Sequence, residues 1–91
     1  MTSKQSIKKV ILKKRAKCRN KTLEGAISCA YHGNYTLSRL EIFKIYDEEI
    51  SDYRNTQVIE FVSEDSKDNA LIVKNGERYD VYFKGQFEYV K

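Results

Sequence analysis

The architecture turns on how SRLEIFKIYDEEISDYR, Ser38 to Arg54, is read. Ser38-Arg39-Leu40-Glu41 has the form of a capping box, in which two side chains satisfy the free N–H groups at a helix start. Behind it Leu40, Phe43, Tyr46, Ile50 and Tyr53 recur every three to four residues. That is the apolar stripe of an amphipathic helix. Asp47, Glu48, Glu49 and Asp52 fall between the stripe positions and would face water. The spacing predicts a helix from about Ser38 to Arg54.

Beyond Asn55 the period changes to two. Thr56–Ser63, TQVIEFVS, sets Val58 and Glu60 against Ile59 and Phe61, as in a strand with two distinct faces. Glu64–Asn69, EDSKDN, is a polar loop. Ala70–Lys74 and Glu77–Phe83 flank Asn75-Gly76, a pair that selects a type I′ hairpin turn. Counting back from that turn pairs Lys74 with Glu77, Ile72 with Tyr79 and Ala70 with Val81. One face then carries Ala70, Ile72, Tyr79, Val81 and Phe83, which should lie against the helices. The other carries Leu71, Val73, Arg78, Asp80 and Tyr82. Lys84-Gly85-Gln86 leads to a last strand, Phe87–Val90, whose register stays open: packing prefers Phe87 beside Phe83 across a three-residue loop, whereas the position of Gly85 suits a two-residue turn.

Upstream, Leu23, Ala26, Ile27, Ala30 and Tyr31 keep helical spacing through Thr22–His32, with Thr22 as the cap. Gly33-Asn34 either ends that helix or turns a hairpin. Between Ser3 and Lys21, Ile7, Val10, Ile11 and Lys14 also fit a helix, opened by Thr2-Ser3-Lys4-Gln5. The same stretch reads as a strand with Val10, Leu12, Ala16 and Cys18 to one side. The expected fold is therefore α+β. Two or three N-terminal helices pack on one face of a C-terminal antiparallel sheet of three or four strands, in a single domain spanning 1–91. A small all-β barrel is the alternative, should the first two segments be strands.

Charge is distributed unevenly. Lys4 to Lys21 holds nine basic side chains and no acid, whereas Thr22 to Lys91 holds 8 basic and 13 acidic groups. A basic segment, 1–21, thus adjoins a body of opposite sign, which points to a partner rich in phosphates or carboxylates. Lys8, Lys9, Lys13, Lys14, Arg15, Lys17, Arg19 and Lys21 are the candidate nucleic-acid contacts, largely independent of sequence, because lysines on phosphates release condensed counterions. Asp47, Glu48, Glu49, Asp52, Tyr82 and Tyr89 are candidate contacts for a protein partner. A Ser38–Arg54 helix has too many acids to enter a major groove, which excludes reading by a helix-turn-helix.

Catalytic and metal chemistry have little to stand on. There is one histidine, no glycine-rich phosphate loop and no nucleophile elbow. Glu48 and Glu49 are adjacent and would diverge on a helix. A ribonuclease-like role for His32 with Tyr31 or Tyr35 is the remaining enzymatic option. Cys29-Ala30-Tyr31-His32 with Cys18 offers three zinc ligands where structural sites need four, so neither metal nor cofactor is expected. No apolar run reaches the length of a membrane span, and without a secretory signal Cys18 and Cys29 are expected as reduced thiols in a cytoplasm.

Lys, Asn, Ile, Tyr and Phe, with AT-rich codons, make up 36 of 91 residues, usage common in low-GC bacteria and their mobile elements. Two functions follow as expectations. One is a small nucleic-acid-binding regulator or accessory factor. The other is an interaction module or inhibitor, of the kind encoded by phages and mobile elements, that blocks a host nucleoprotein machine. The edge of Phe87–Val90 is a candidate homodimer contact.

Overall fold

The computed structural model describes residues 9–31, 35–65 and 67–90. Its elements are β1 (Lys9–Leu12), β2 (Cys18–Asn20), α1 (Leu23–Tyr31), β3 (Tyr35–Asp47), β4 (Asp52–Ser63), β5 (Asn69–Asn75), β6 (Arg78–Phe83) and β7 (Phe87–Val90). The strands form one seven-stranded sheet in the order β2-β6-β5-β4-β3-β1-β7, curled into a half-barrel. All neighbours are antiparallel except β1 and β3.

This overturns the expectation of two or three helices on a smaller sheet, since only α1 is helical among the described residues. The all-β alternative is nearer, although the sheet stays open and keeps a helix. Ser38–Arg54 is the segment responsible. It belongs to a hairpin in which β3 and β4 align in twelve register pairs from Tyr35↔Ser63 to Asp47↔Asp52, with a bulge between Leu37 and Arg39. A capping box contributes about 1 kcal/mol. It loses to a ladder that pairs TQVIEFVS and buries Phe43 and Ile45 completely. The β-branched and aromatic residues of IFKIY suit an extended chain better than a helix.

The acids taken for a solvated helix face make the turn instead. The Asp47 carbonyl accepts N–H bonds from Ile50 (3.1 Å) and Ser51 (2.6 Å). Its carboxylate accepts the Glu49 N–H at 2.9 Å, and Ser51 takes the left-handed conformation at φ 56°.

At the N-terminus the strand alternative is the observed one. Val10 and Leu12 are buried in the inner core and Ala16 packs on it, while Cys18 joins the outer cluster. The proposed Thr2–Gln5 cap, Ile7, and the Gly33-Asn34 signal lie outside the described residues. Thr22 caps α1, its hydroxyl accepting the Gly25 N–H at 3.2 Å.

Two cores result. The inner, concave face buries Val10, Leu12, Phe43, Ile45, Val58, Leu71, Val73, Tyr82 and Phe87. On the outer face Ala26 and Ala30 of α1 cover Phe61, Ala70, Ile72 and Val81. The face division expected for the β5–β6 hairpin holds, but its register is two residues away. Lys74 pairs with Tyr79, Ile72 with Val81 and Ala70 with Phe83. The two loop residues are Gly76 and Glu77, and Gly76 alone has positive φ (65°). That is a type II′ turn, which places glycine first in the loop. It is not the type I′ turn expected of Asn75-Gly76, because Asn75 pairs with Arg78 in the ladder instead of sitting in the loop.

The last strand is also corrected. β7 crosses to the far side and pairs with β1, Leu12↔Phe87 to Lys9↔Val90, instead of returning beside β6. It is one edge of the sheet.

The cysteines are corrected as well. Cys18 of β2 and Cys29 of α1 form a disulfide with a Cα separation of 6.8 Å, removing the premise of two thiols from which a cytoplasmic location was expected.

Candidate nucleic-acid interface

β1 lies next to one edge of the sheet and β2 forms the other. The link between them, Lys13–Lys17, therefore crosses one mouth of the half-barrel. Its backbone is pinned at both ends. Lys13 and Lys14 N–H groups donate to the Gln86 carbonyl (2.8 and 3.2 Å), and Lys17 N–H donates to the Val81 carbonyl (2.7 Å). The Gln86 side chain adds a bond from its amide to the Arg15 carbonyl and accepts the Phe83 N–H at 2.7 Å. Four basic residues of the segment, Lys13, Lys14, Arg15 and Lys17, are thus carried on a fixed strap.

Beneath the strap is a cleft of about 420 Å³. Lys13, Lys14 and Arg15 enter from the strap, Arg19 from β2 and Arg78 from β6. Asp47, Glu48, Glu49 and Ile50 come from the β3–β4 turn, and Asp80 and Tyr82 form the inner wall. Five cations and four carboxylates share one opening.

Several of these charges pair loosely. Arg15 Nε lies 3.6 Å from Glu49 Oε1, with both side chains largely exposed. Arg54 Nη2 reaches Asp47 at 3.5 Å, and Arg78 Nη2 reaches Asp80 Oδ2 at 3.8 Å. Burial pushes the Tyr82 hydroxyl up to about 12, and the negative charge of Asp80 and Asp47 adds to the shift.

The sequence-derived candidates divide accordingly. Lys13, Lys14, Arg15 and Arg19 line the cleft with Asp47, Glu48, Glu49 and Tyr82. Lys8 lies outside the described residues. Lys9 stands elsewhere, its ammonium 6.0 Å from the Tyr53 ring centre, and Lys17 and Lys21 are exposed but apart from the cleft. Asp52 is opposite Asp47 in the hairpin. His32, the ribonuclease-like candidate, and the side chains of Tyr31 and Tyr35 lie outside the described part of the structure.

Tyr89 belongs to a second polar group. Its hydroxyl donates to Glu60 Oε2. Asn69 Nδ2 donates to the same oxygen at 3.0 Å and to the Tyr89 hydroxyl at 2.6 Å. Burial, reinforced by the hydrogen bond to Glu60, raises the pKa of Tyr89 above the ordinary tyrosine value. Glu60 is buried on the inner face beside Leu71.

Sequence reasoning passed over Arg78 and Asp80 as site residues. The one signal was that Asp80 shares a sheet face with the apolar Leu71, Val73 and Tyr82, a face that the expected helix-on-sheet packing left uncovered. A buried acid on such a face requires a cation or a ligand.

Comparison with protein-family models, curated proteins and solved structures finds no match for this chain.

Proposed function

We propose that the chain binds nucleic-acid phosphates at this cleft, mostly without reading sequence, as a small regulator or accessory factor. The observation that carries the reading is convergence: Lys13, Lys14 and Arg15, Arg19, and Arg78 reach one opening from three separate chain segments. The rim pair Arg15–Glu49 is exposed, and such pairs contribute about 0–1 kcal/mol, so a phosphodiester displaces the carboxylate at little cost. A cleft of about 420 Å³ is sized for a small ligand, which favours a single strand laid into it over a duplex. Arg19 and Lys14 have no carboxylate partner among the described residues and supply free positive charge.

Fluorescence anisotropy with mixed-sequence single- and double-stranded DNA and RNA, at two salt concentrations, tests the reading. Three or four contacts to a single strand give a log–log salt slope of about −2 to −3. Charge reversal of Lys13, Lys14 and Arg15 to Glu should abolish binding; affinity that survives it rules the cleft out.

A second reading, an interaction module or inhibitor, is favoured by the outer face. Leu37, Leu40 and Ile42 of β3 are 54, 59 and 63% exposed, an apolar strip not covered by α1. In that case L40K/I42K abolishes capture of the protein partner, and the chain binds free nucleic acid weakly at every salt concentration.

A further inference from the structure

We infer that Arg19 and Arg78 form a two-guanidinium clamp for one phosphate, and that buried Asp80 is the positioning residue that aims it. The inference rests on the nucleic-acid reading above and adds residues to it.

The sheet register builds the arrangement. Arg19 of β2 stands directly opposite Asp80 of β6. Arg78 precedes Asp80 by two residues, so all three side chains leave the same face. Diagonal neighbours on adjacent strands sit about 7–8 Å apart, a gap one phosphate can bridge while each guanidinium keeps its fork toward the opening. All three residues line the cleft.

Asp80 is the unusual member. It is 2% exposed, and its Oδ1 has no hydrogen-bond partner among the described residues. Its Oδ2 holds Arg78 Nη2 at 3.8 Å, longer than a hydrogen bond, while the Arg78 side chain remains 47% exposed. A carboxylate this deep is retained against its desolvation only by neighbouring cations. It holds one end of the Arg78 guanidinium and stands opposite Arg19 in the sheet register, where its charge attracts that side chain without pairing with it. The strap lysines have no buried carboxylate behind them: Lys13 pairs at 3.5 Å with the exposed Glu88, Lys14 has no carboxylate partner among the described residues, and both act as diffuse charge. Arg suits these positions because its planar fork meets a phosphate in two parallel bonds, which an ammonium cannot do.

The two roles predict opposite signs for one substitution. Asp80→Asn removes one negative charge from the cleft, so attraction between point charges alone would tighten binding to a polyanion. A positioning role predicts weaker binding with the salt slope unchanged.

The experiment is anisotropy titration of a labelled mixed-sequence single strand at two salt concentrations. R78A should weaken binding roughly 10- to 100-fold, the range for hydrogen bonds to charged groups, and reduce the salt slope by about 1. R78K should keep the slope and recover little of the affinity. Tighter binding by D80N, or R78K equal to wild type, overturns the clamp. Should D80N fail to fold, the half-exposed Arg78 variants decide alone. If wild type shows no salt-dependent binding, the nucleic-acid reading falls together with the clamp. If K13E/K14E/R15E abolishes binding while Arg78 behaves as a simple charge, the clamp falls by itself.

Discussion

Breaking the Cys18–Cys29 bond should destabilise this chain by an amount that its loop length sets. The two cysteines are 11 residues apart, and closing a loop of that size removes about 3 kcal/mol of unfolded-state entropy at 25 °C. For a domain of this size each kcal/mol shifts Tm by about 4–8 °C, so reduction should lower it by about 12–24 °C. The location sharpens the expectation. β2 is an edge strand with three register pairs, all to β6, and α1 is held to the sheet through small contacts at Ala26 and Ala30. Without the bond these two elements open together ahead of the β3–β4 hairpin. Urea unfolding of the oxidised protein, followed by far-UV circular dichroism, is compared with and without a phosphine reductant. The C18A/C29A variant serves as the control that has no bond to lose. Hydrogen exchange should show protection falling in Cys18–Asn20 and Leu23–Tyr31 with the amides of β3 and β4 unchanged. Since β2 carries Arg19, reduction should also weaken binding at the cleft. A reductant effect below about 0.5 kcal/mol, or an equal effect on C18A/C29A, would refute the entropic argument.

Gly76→Ala should lower stability by about 1 kcal/mol, because the residue sits at φ 65° with open space around its Cα; Asn at the same site should lose less, as thermal unfolding will show. Tyr89→Phe leaves buried Glu60 without one of its donors and should lower stability by about 1–3 kcal/mol in urea titration. Tyr82 contributes to the alkaline limb, as does Tyr89, whose hydroxyl is also raised. The unfolded chain ionises tyrosine near 10.0, whereas folded Tyr82 keeps its proton to about 12. Across that window the unfolded state binds fewer protons, so stability present below pH 10 falls as pH rises to 12; ultraviolet titration and unfolding at pH 9 and 11 should show a smaller fall in Y82F. Gln86→Ala frees the strap from its side-chain bond at Arg15 and should reduce both stability and affinity, the latter read by anisotropy.

The parts of the fold legible in the sequence were those where periodicity and chemistry agreed. Val58 and Glu60 do face away from Ile59 and Phe61, and Ala70, Ile72, Tyr79, Val81 and Phe83 do share the face under the helix. Thr22 does cap α1. Ser38–Arg54 failed because it satisfies two periods at once. Leu40, Phe43 and Tyr46 fit a helical stripe, while Phe43 and Ile45 fit the inner face of a strand, and local spacing has no access to the partner strand that decides between them. The crossing of β7 to β1 was illegible for a related reason: nothing in Phe87–Val90 distinguishes one sheet edge from the other. For the site, Lys13, Lys14, Arg15 and Arg19 were legible as charge. Arg78 and Asp80 became significant only when the register set them opposite Arg19.

The sequence suggested a basic arm held apart from an acidic body, and the topology brings the two together. Pairing β1 with β3 in parallel requires the chain to cross the sheet before β3 begins, and that crossing carries Lys13–Arg15 over the turn that bears Asp47, Glu48 and Glu49. The four carboxylates then cancel most of the charge of the five cations at the cleft. A site of such small net charge exerts only a weak long-range field, which salt screens within about 10 Å. Affinity for a phosphate must therefore come from short, directed contacts, and these are what the exposed forks of Arg19 and Arg78 provide. The near-neutral cleft thus makes a further demand on the clamp. Association rates should change little with salt, and most of the salt dependence of affinity should appear in dissociation, measurable by stopped-flow. Steep acceleration of association at low salt would instead mean that the strap acts through its field, with Arg19 and Arg78 secondary.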